Sequence, residues 1–459
     1  MIAILQRQLK AALPYALGSK WITFGLGLVI VGLPLSRAAL TAGVIWLSLG
    51  IFLPGKRIHT VPVWIWAALA LFATYVVGLF YTQDISRGWG DLWQKIPLVT
   101  VPLALFKAEK LPARTIRALL WLMVITCSLT ILLMFGVALY NSMQDGLSIE
   151  MLQGCALGGH CEEPAAWLKA RRWFTYSPLS GGIGQHPNWL SMILTGGFLS
   201  MIWLWDDARK RGVPFSHLQM GIVTGLTFVA IALLSSRMQQ LIFAGVVLAI
   251  GLYLLTDRST WKILIVPATL MILLFVGAMA LMPESRDRMK EVLAPSTSQS
   301  EEVVWSGITV RKEVWKSGWQ LIGQIPLVGV GTGDYRAELT EQYDRDGFLY
   351  GHVRELDPHN QVLATIIAVG VPGVLVLCFW IGSQMVTAFS QKKWGWLLWL
   401  AIFLLSGLTE TMLGRQIAVA YIAVIGPFLA FHLPKTGIIP GGETGSAPSA
   451  TPAHTVSSG

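Results

Sequence analysis

One stretch of the chain, LDPHNQVLATIIAVG (residues 356–370), places an acid, a proline, a histidine and an amide before a long apolar run. Asp357 fits a helix N-cap and Pro358 the first helical position, which predicts His359 in the first turn of the helix. The helix dipole disfavours the imidazolium there and keeps the ring neutral, although Asp357 opposes this effect. A neutral imidazole can accept a proton from a hydroxyl group, so the pattern predicts a general base. The alternative is that His359 only caps its helix or anchors it at the membrane boundary.

A second ionisable side chain, Arg237, lies between two apolar runs in LLSSRMQQLIF (residues 233–243). The runs are too close together for a loop, so we expect a tight hairpin that holds Arg237 at the edge of the bilayer. A charged side chain is costly to desolvate there and tends to find an anionic partner. The alternative is that the guanidinium reaches into the lipid headgroups.

The segment ITVRKEVWKSGWQLIG (residues 308–323) is typical of an amphipathic helix that lies on a membrane surface. One face, at helical spacing, is formed by Arg311, Trp315, Trp319 and Ile322. Lys312 and Lys316 lie beside this face. A guanidinium can bind two phosphate oxygens at once, so Arg311 is a candidate ligand for a pyrophosphate. The alternative is a helix that serves only as an anchor.

Glu410 and Arg415 lie between the last two apolar runs. Glu410 could hold the His359 ring in one tautomer, as carboxylates do in acid–base pairs. It could equally form an ion pair with Arg415, and both interpretations stay open at this point. His186, in GIGQHPNWLS (residues 182–191), repeats the His-Pro-Asn composition, which helix capping explains.

The glycine-rich segment GVGTGDY (residues 329–335) lacks the strand–helix unit of a dinucleotide site, so it predicts a tight turn before a second loop helix. Arg336 follows this turn directly. Arg336, His186 and Arg415 are further candidates for binding a substrate.

These residues belong to a chain whose composition predicts an all-α, polytopic membrane protein. Of its 459 residues, 54% are hydrophobic and 13% charged, and the mean hydropathy is +0.59. We expect about twelve transmembrane helices and a transmembrane domain over residues 1–435. The predicted crossings are residues 21–35, 38–53, 62–81, 96–106, 116–140, 189–205, 218–234, 238–255, 262–282, 361–389, 394–411 and 416–433.

The distribution of basic residues predicts that both chain ends lie in the cytoplasm. The short segments then assigned to the inside carry seventeen Lys or Arg, and those assigned to the outside carry five, which are Arg37, Arg87, Lys95, Arg237 and Arg415. The net charge of +9 is therefore mainly an orientation signal, and we expect no nucleic-acid partner. The long loops, about 141–188 and 283–360, fall outside, the second one between the ninth and tenth crossings. Residues 436–459 form a low-complexity tail that we expect to be disordered.

The four cysteines divide into two pairs. Cys127 and Cys378 lie within apolar runs and are expected to be packing residues. Cys155 and Cys161 flank a short segment of the first outer loop, where an oxidising compartment would allow a disulfide. The alternatives are two free thiols, or a zinc site with His160 that lacks a convincing fourth ligand.

The order and spacing of SSRMQQ, VRKEVWKSGWQLIGQIPLVGVGTGDYR and DPHNQVLATIIAVGVPGVL resemble the signature region of the O-antigen ligase/polymerase superfamily of bacterial envelope glycosyltransferases. The resemblance covers roughly residues 220 to 420. It implies the all-helical GT-C fold of transferases that use lipid-linked sugars. One departure is the Met after the hairpin arginine, where many relatives have glycine, and it puts the local turn in doubt.

The resemblance also implies roles for residues. Arg237 and Arg311 match the arginines taken to hold the diphosphate of an undecaprenyl-linked glycan. His359 matches the histidine that activates the acceptor, and Glu410 matches a later acidic residue. The implied activity is an O-antigen ligase that joins the glycan to lipid A–core oligosaccharide at the periplasmic face of the bacterial inner membrane. Transfer would invert the anomeric configuration without a metal or cofactor, because guanidinium groups take the electrostatic role.

Three other functions remain alternatives. An O-antigen polymerase and a protein O-oligosaccharyltransferase of the same superfamily would share the diphosphate site. A secondary transporter belongs to a different class and predicts ionisable residues near the middle of the membrane. The chain instead concentrates its charges at the outer ends of the crossings, and no internal repeat is evident.

Overall fold

The computed structural model of the protein describes residues 2–53, 60–145, 172–255 and 307–433. Every regular element within these ranges is a helix, which confirms the all-α prediction for this part of the chain. The predicted ninth crossing (262–282), Cys155, Cys161 and the tail 436–459 lie outside the described residues. Cys127 is buried and Cys378 exposed, and both are free thiols.

The helices follow in chain order. They are α1 (Ile2–Leu35), α2 (Arg37–Leu49), α3 (Val63–Leu79), α4 (Ile85–Lys95), α5 (Pro97–Lys107), α6 (Ala113–Gln144), α7 (Tyr176–Gly181), α8 (Pro187–Lys210), α9 (His217–Leu234), α10 (Arg237–Leu255), α11 (Gly307–Ile322), α12 (Tyr335–Arg345), α13 (Leu349–Val353), α14 (Gln361–Ser390), α15 (Trp394–Gly407), α16 (Gln416–Ala420) and α17 (Gly426–Phe431). A π-helical turn, Tyr421–Ile425, joins α16 to α17.

A helix is found at eleven of the twelve predicted crossings, all of them in the described residues. Within the described ranges, four helical segments are long and apolar enough to cross a membrane, namely Gly18–Leu35, Ala113–Gln144, His217–Leu234 and Gln361–Ser390. Between 44% and 50% of the most apolar part of each is buried in the bundle, and apolar side chains cover the remainder too. This pattern is that of helices that face both protein and lipid. The twelve-crossing topology and its orientation stay predictions.

The tenth predicted crossing is not one continuous helix. Inside α14, Val369 and Gly370 leave the helical conformation, and Gly370 has φ +68°. Pro372 has no backbone N–H for the carbonyl of Ala368, which lies four residues earlier. Gly331 supplies that N–H at 3.0 Å, so the glycine-rich turn satisfies the carbonyl that proline leaves free.

The glycine-rich turn therefore packs against the break in α14. Val330 N donates to Ile367 O, and Val371 N donates to Leu327 O, both at 2.9 Å. A Cβ atom at Gly370 would clash with the carbonyl oxygen of Leu327, which explains why a glycine stands here. The predicted tight turn before a second loop helix is confirmed, because α12 begins at Tyr335.

The turn is also bonded to the end of α3 and the start of α4. Thr332 Oγ1 donates to Tyr75 O at 2.6 Å, and the carboxylate of Asp334 accepts from Gln83 N and Asp84 N at 2.7 and 2.8 Å. Helix α4 was not predicted from the sequence. It buries an Asp91–Lys95 ion pair and exposes Trp89 and Trp93. The glycine-rich turn is therefore held against three helices, α3, α4 and α14, before the chain reaches the site.

Candidate active site

The polar features singled out in the sequence meet at one end of the helix bundle. Side-chain contacts join five parts of the chain there. They are the start of α8, the α9–α10 junction, the start of α11, the segment before α14 and the segment after α15. We call the group formed by Glu410, Arg311, His359, Asn188 and Ser236 the Glu410 cluster. A neighbouring group, Asp357 with Arg336 and Arg415, is the Asp357 cluster.

Glu410 is the centre of its cluster. The residue is only 7% exposed, and its Oε1 accepts from Arg311 Nη2 at 3.1 Å and from Asn188 Nδ2. Its Oε2 lies 3.7 Å from Nδ1 of His359. Of the two interpretations that the sequence left open, the structure therefore favours the one in which Glu410 faces His359, because Glu410 is paired with Arg311 and not with Arg415.

His359 does not lie in the first turn of α14, so that prediction was wrong. The N-cap is Asn360, whose side chain accepts from Leu363 N at 3.0 Å, and the helix begins at Gln361. His359 stands before the cap with φ +47°, a left-handed conformation. Asp357 cannot cap the helix because its carboxylate is bound by arginines of the Asp357 cluster. The argument from the helix dipole therefore does not apply to His359 as stated.

The His359 ring is placed for chemistry nonetheless. Its side chain is 28% exposed, so a substrate can reach it. Its Nδ1 is buried and makes no hydrogen bond to any described residue, while the nearest carboxylate oxygen is that of Glu410. An imidazole that is held through Nδ1–H offers the lone pair of Nε2 to a proton donor.

The Asp357 cluster explains two further candidate residues. Asp357 is 7% exposed; its Oδ1 lies 3.0 Å from Arg336 Nε, and its Oδ2 binds Arg415 Nη2. Arg336 also donates to the Tyr335 hydroxyl at 3.0 Å. Arg336 and Arg415 thus share a carboxylate two residues before His359, and their proposed contact with substrate stays a prediction.

Arg237 begins α10, immediately after the hairpin that the sequence predicted. α9 ends at Leu234, its C-cap Ser235 has φ +48°, and only Ser235 and Ser236 separate it from α10. The left-handed serine makes the turn, so the missing glycine after Arg237 does not prevent it. Ser236 Oγ donates to Asn188 Oδ1 at 2.5 Å, and Asn188 binds Glu410. The hairpin that carries Arg237 is therefore tied to the Glu410 cluster.

Arg311 enters the cluster from α11. The buried stripe of this helix contains Val314, Ser317 and Leu321, and Gly318 packs against Leu363 of α14. Lys312, Lys316 and Trp319 are exposed. Arg311 and Trp319, which were predicted to share one face, therefore lie apart: Arg311 contacts the bundle and Trp319 is exposed at its surface. The amphipathic helix is confirmed, and its position on a membrane surface stays a prediction.

His186 has the capping role that the sequence indicated. It is the N-cap of α8, and its Nδ1 accepts from Asn188 N at 3.4 Å. It also interacts electrostatically with Glu410, Arg415, His359 and Arg311, so it lies at the edge of the same cluster. A direct role in binding substrate stays a prediction.

The charge state of Glu410 follows from its surroundings. Burial by itself would raise the pKa of Glu410, but the His359 ring and the Arg311 and His186 side chains lower this pKa below its usual value. The carboxylate is therefore ionised at neutral pH. An ionised carboxylate next to Nδ1 is the arrangement that stabilises an imidazole as it takes up a proton at Nε2.

Sequence reasoning missed the roles of Asn188, Ser236 and Asp357. Asn188 was explained by capping alone, although a buried amide at the start of an apolar run needs a hydrogen-bond partner. Asp357 was taken for a helix cap. The signal that could have found both is the same: each is a polar side chain at the boundary of an apolar segment, close to a residue already suspected of chemistry.

One acidic motif was also overlooked. The segment between α11 and α14 contains an Asp-x-Asp triplet, Asp344 to Asp346, at the end of α12. Asp346 accepts from Gln342 Nε2 at 2.9 Å, and Asp344 is exposed. Among the described residues no group of three His, Cys, Asp or Glu side chains is arranged to hold a metal ion.

Comparison with known proteins adds an independent result. Residues 222–378 match the family model described as O-antigen ligase (Wzy_C). The matched region contains Arg237, Arg311, Arg336, Asp357 and His359, whereas Asn188 and Glu410 come from outside it. A comparison with curated proteins gave no match. This match, which spans the hairpin, the glycine-rich turn and the histidine segment, supports membership of the O-antigen ligase superfamily.

Proposed function

We propose that this membrane protein is an O-antigen ligase that transfers a glycan from undecaprenyl diphosphate to lipid A–core oligosaccharide. The observation that supports this most directly is the contact of one buried carboxylate with both an arginine and the candidate base. Glu410, Arg311 and His359 come from three separate elements, and the match to the O-antigen ligase family model supports the class of reaction.

The proposed base is Nε2 of His359. It removes the proton of an acceptor sugar hydroxyl, while Glu410 holds the opposite nitrogen, Nδ1, as N–H and stabilises the positive charge on the ring. The hydroxyl oxygen attacks the anomeric carbon of the donor from the side opposite the diphosphate. The new glycosidic bond forms as the bond to the diphosphate oxygen breaks, and the configuration is inverted.

Arginines are proposed to bind the leaving diphosphate. Arg311 uses one N–H for Glu410 and one for Gly307 O, at 3.1 and 3.3 Å, and a guanidinium has five. Its Nε–H is buried, so the second N–H on each of Nη1 and Nη2 is proposed to bind phosphate oxygens, with Arg237 contributing from the neighbouring hairpin. Donors aimed at the charge that develops on the leaving group lower the barrier. We propose that this replaces a metal ion, and transfer that persists in a chelator would support the assignment.

The wider setting rests on the loop charges. We propose a GT-C-like bundle of about twelve crossings with both ends in the cytoplasm, so that the Glu410 cluster faces the periplasm. The excess of basic residues in the short inner loops supports this orientation. Membrane lipids are then direct neighbours of the site.

The test uses purified protein in lipid vesicles with an undecaprenyl-diphosphate glycan and lipopolysaccharide that lacks O-antigen. His359→Ala should abolish transfer and leave donor binding largely intact, because the arginines are unchanged. His352→Ala is the matched control, since His352 lies in α13 and its Nδ1 is 3.1 Å from Thr340 O. Transfer by His359→Ala at close to the wild-type rate would show that the base is wrongly assigned.

A parallel reaction identifies the acceptor. A second lipid-linked glycan, or a pilin-like protein, replaces the lipopolysaccharide in otherwise identical mixtures. Product only on lipid A–core supports the ligase. Product only on the second lipid-linked glycan or on protein would instead identify a polymerase or a protein O-oligosaccharyltransferase.

A further inference from the structure

Asn188 makes two hydrogen bonds that bring three elements together. It is 7% exposed, near the start of α8; its Nδ2 donates to Glu410 Oε1 and its Oδ1 accepts from Ser236 Oγ at 2.5 Å. An ionised carboxylate can only accept hydrogen bonds, so the amide orientation is fixed by its partners. The backbone N–H of Asn188 donates to His186 Nδ1 at 3.4 Å, which helps to fix the backbone that carries this side chain.

The two oxygens of Glu410 are consequently used in different ways. Oε1 receives N–H donors from Asn188 and Arg311, whereas Oε2 faces His359 Nδ1 at 3.7 Å. That separation is just longer than a hydrogen bond, and Nδ1 is buried with no other described partner. With Oε1 anchored, a small rotation of the carboxylate brings Oε2 within hydrogen-bond distance of Nδ1.

An asparagine suits this task better than a charged residue. A second cation at position 188 would compete with His359 for the carboxylate, and a second carboxylate would repel it. The neutral amide donates to Glu410 and leaves its negative charge available to the imidazole. The same amide reaches the hairpin of Arg237 through Ser236, so the base and a candidate phosphate ligand share one rigid connection.

We propose that Asn188 is a positioning residue for the transfer reaction: it holds Oε1 of Glu410 so that Oε2 binds Nδ1–H of His359 and leaves Nε2 free to accept the acceptor proton. This inference rests on the proposed function for its kinetic consequences. Its structural consequence, the tautomer of His359, does not require glycan transfer and can be measured separately.

The kinetic experiment compares the wild type with Asn188→Ala, Asn188→Asp and Gln239→Ala in vesicles. Asn188→Ala should lower kcat about tenfold with the KM for donor unchanged, and Asn188→Asp should lower kcat further because it repels Glu410. Gln239 is the control, a buried amide of the same hairpin that donates to Ser406 Oγ at 2.9 Å. Gln239→Ala should leave kcat close to that of the wild type.

The second measurement is the ¹⁵N spectrum of histidine-labelled protein, in which the His359 signals are identified by their loss in His359→Gln. The Nδ1–H tautomer should dominate in the wild type and should be mixed with the Nε2–H tautomer in Asn188→Ala. An unchanged tautomer in Asn188→Ala, or equal falls in kcat for Asn188→Ala and Gln239→Ala, would overturn the positioning role. If the wild type transfers no glycan to any acceptor while the tautomer still responds to Asn188→Ala, the proposed function fails and the positioning role stands.

Discussion

Glu410 and Asp357 are two carboxylates with the same small exposure, 7%, at the same end of the bundle, and each is paired with arginine. Asp357 has a guanidinium on each oxygen, from Arg336 and Arg415. Glu410 has one guanidinium and one amide on Oε1, and its Oε2 faces an imidazole. The first arrangement places a permanent charge beside each oxygen, although only Oδ2 is hydrogen-bonded, and suits a structural lock. The second leaves one oxygen for a group that can gain and lose a proton.

The clusters are joined by the short segment from Asp357 to His359. The Asp357 cluster fixes one end of this segment, and the Asn360 cap of α14 fixes the other. Between them His359 adopts its left-handed φ of +47°, a conformation that is costly for a side-chain-bearing residue. The comparison therefore favours a role for Asp357 in positioning the backbone and leaves Glu410 as the candidate for chemistry.

The strongest challenge to this comparison is to neutralise each carboxylate in turn. Glu410→Gln should lower the transfer rate by about 100-fold, because the imidazole loses the charge that stabilises its protonated form. Asp357→Asn should lower the rate by less than about tenfold in protein that remains folded. Initial rates at saturating donor and acceptor measure both, and equal losses in the two variants would remove the distinction.

Arginine-to-lysine substitutions test the same difference between the two clusters. Arg311→Lys should raise the KM for donor about tenfold, since lysine lacks the paired N–H groups that bind phosphate oxygens bidentately. Arg415→Lys should change that KM by less than about threefold, because Arg415 is expected to serve Asp357. A larger effect of Arg415→Lys on donor KM would identify Arg415 as a substrate ligand.

The free energy of unfolding should respond in the reverse order, with a larger loss in Asp357→Asn than in Glu410→Gln. Asp357→Asn should lower the free energy of unfolding by about 1–3 kcal/mol, because two arginines lose their anion and the side chains of Arg336 and Arg415 are only 38% and 53% exposed. Thermal unfolding in one detergent measures this change, with Gln239→Ala as a reference for a buried polar side chain. A variant as stable as the wild type would show that the Asp357 cluster is not a lock.

The smallest expected effect concerns pH. The pKa of Glu410 is lower in the folded protein than its usual value, so this group adds stability above the unfolded-state pKa. That contribution is lost as the pH falls through the folded-state pKa. The Tm difference between the wild type and Glu410→Gln should therefore shrink as the pH falls below the pKa of an ordinary glutamate. A difference that is constant from neutral to acidic pH would mean that the pKa of Glu410 is not lowered.

Several parts of the fold could be read from local sequence rules. Apolar runs indicated helices, and the spacing of two such runs around Arg237 indicated a hairpin without a loop, which the structure has at Ser235 and Ser236. Glycine spacing indicated the turn before α12. These features depend on residues close together in the chain, so the sequence contains their cause.

Other features depend on residues that are far apart. The identity of the α14 cap was mispredicted because Asp357 is occupied by Arg336 and Arg415, which lie 21 residues before it and 58 residues after it. The break at Gly370 depends on hydrogen bonds from a turn about forty residues earlier. Helix α4 was missed because its buried charges and exposed tryptophans reverse the usual amphipathic pattern.

The sequence by itself determined an all-helical membrane chain, its candidate chemical groups and the end of the bundle at which they gather, because hydrophobic length and charge placement are local properties. The tertiary structure decided which cation each carboxylate binds. Arg415 is five residues from Glu410 but binds Asp357, whereas Arg311 is 99 residues from Glu410 and binds it. A buried carboxylate is stabilised by the donors that packing brings within hydrogen-bond distance, and packing depends on the whole arrangement of helices and not on separation along the chain.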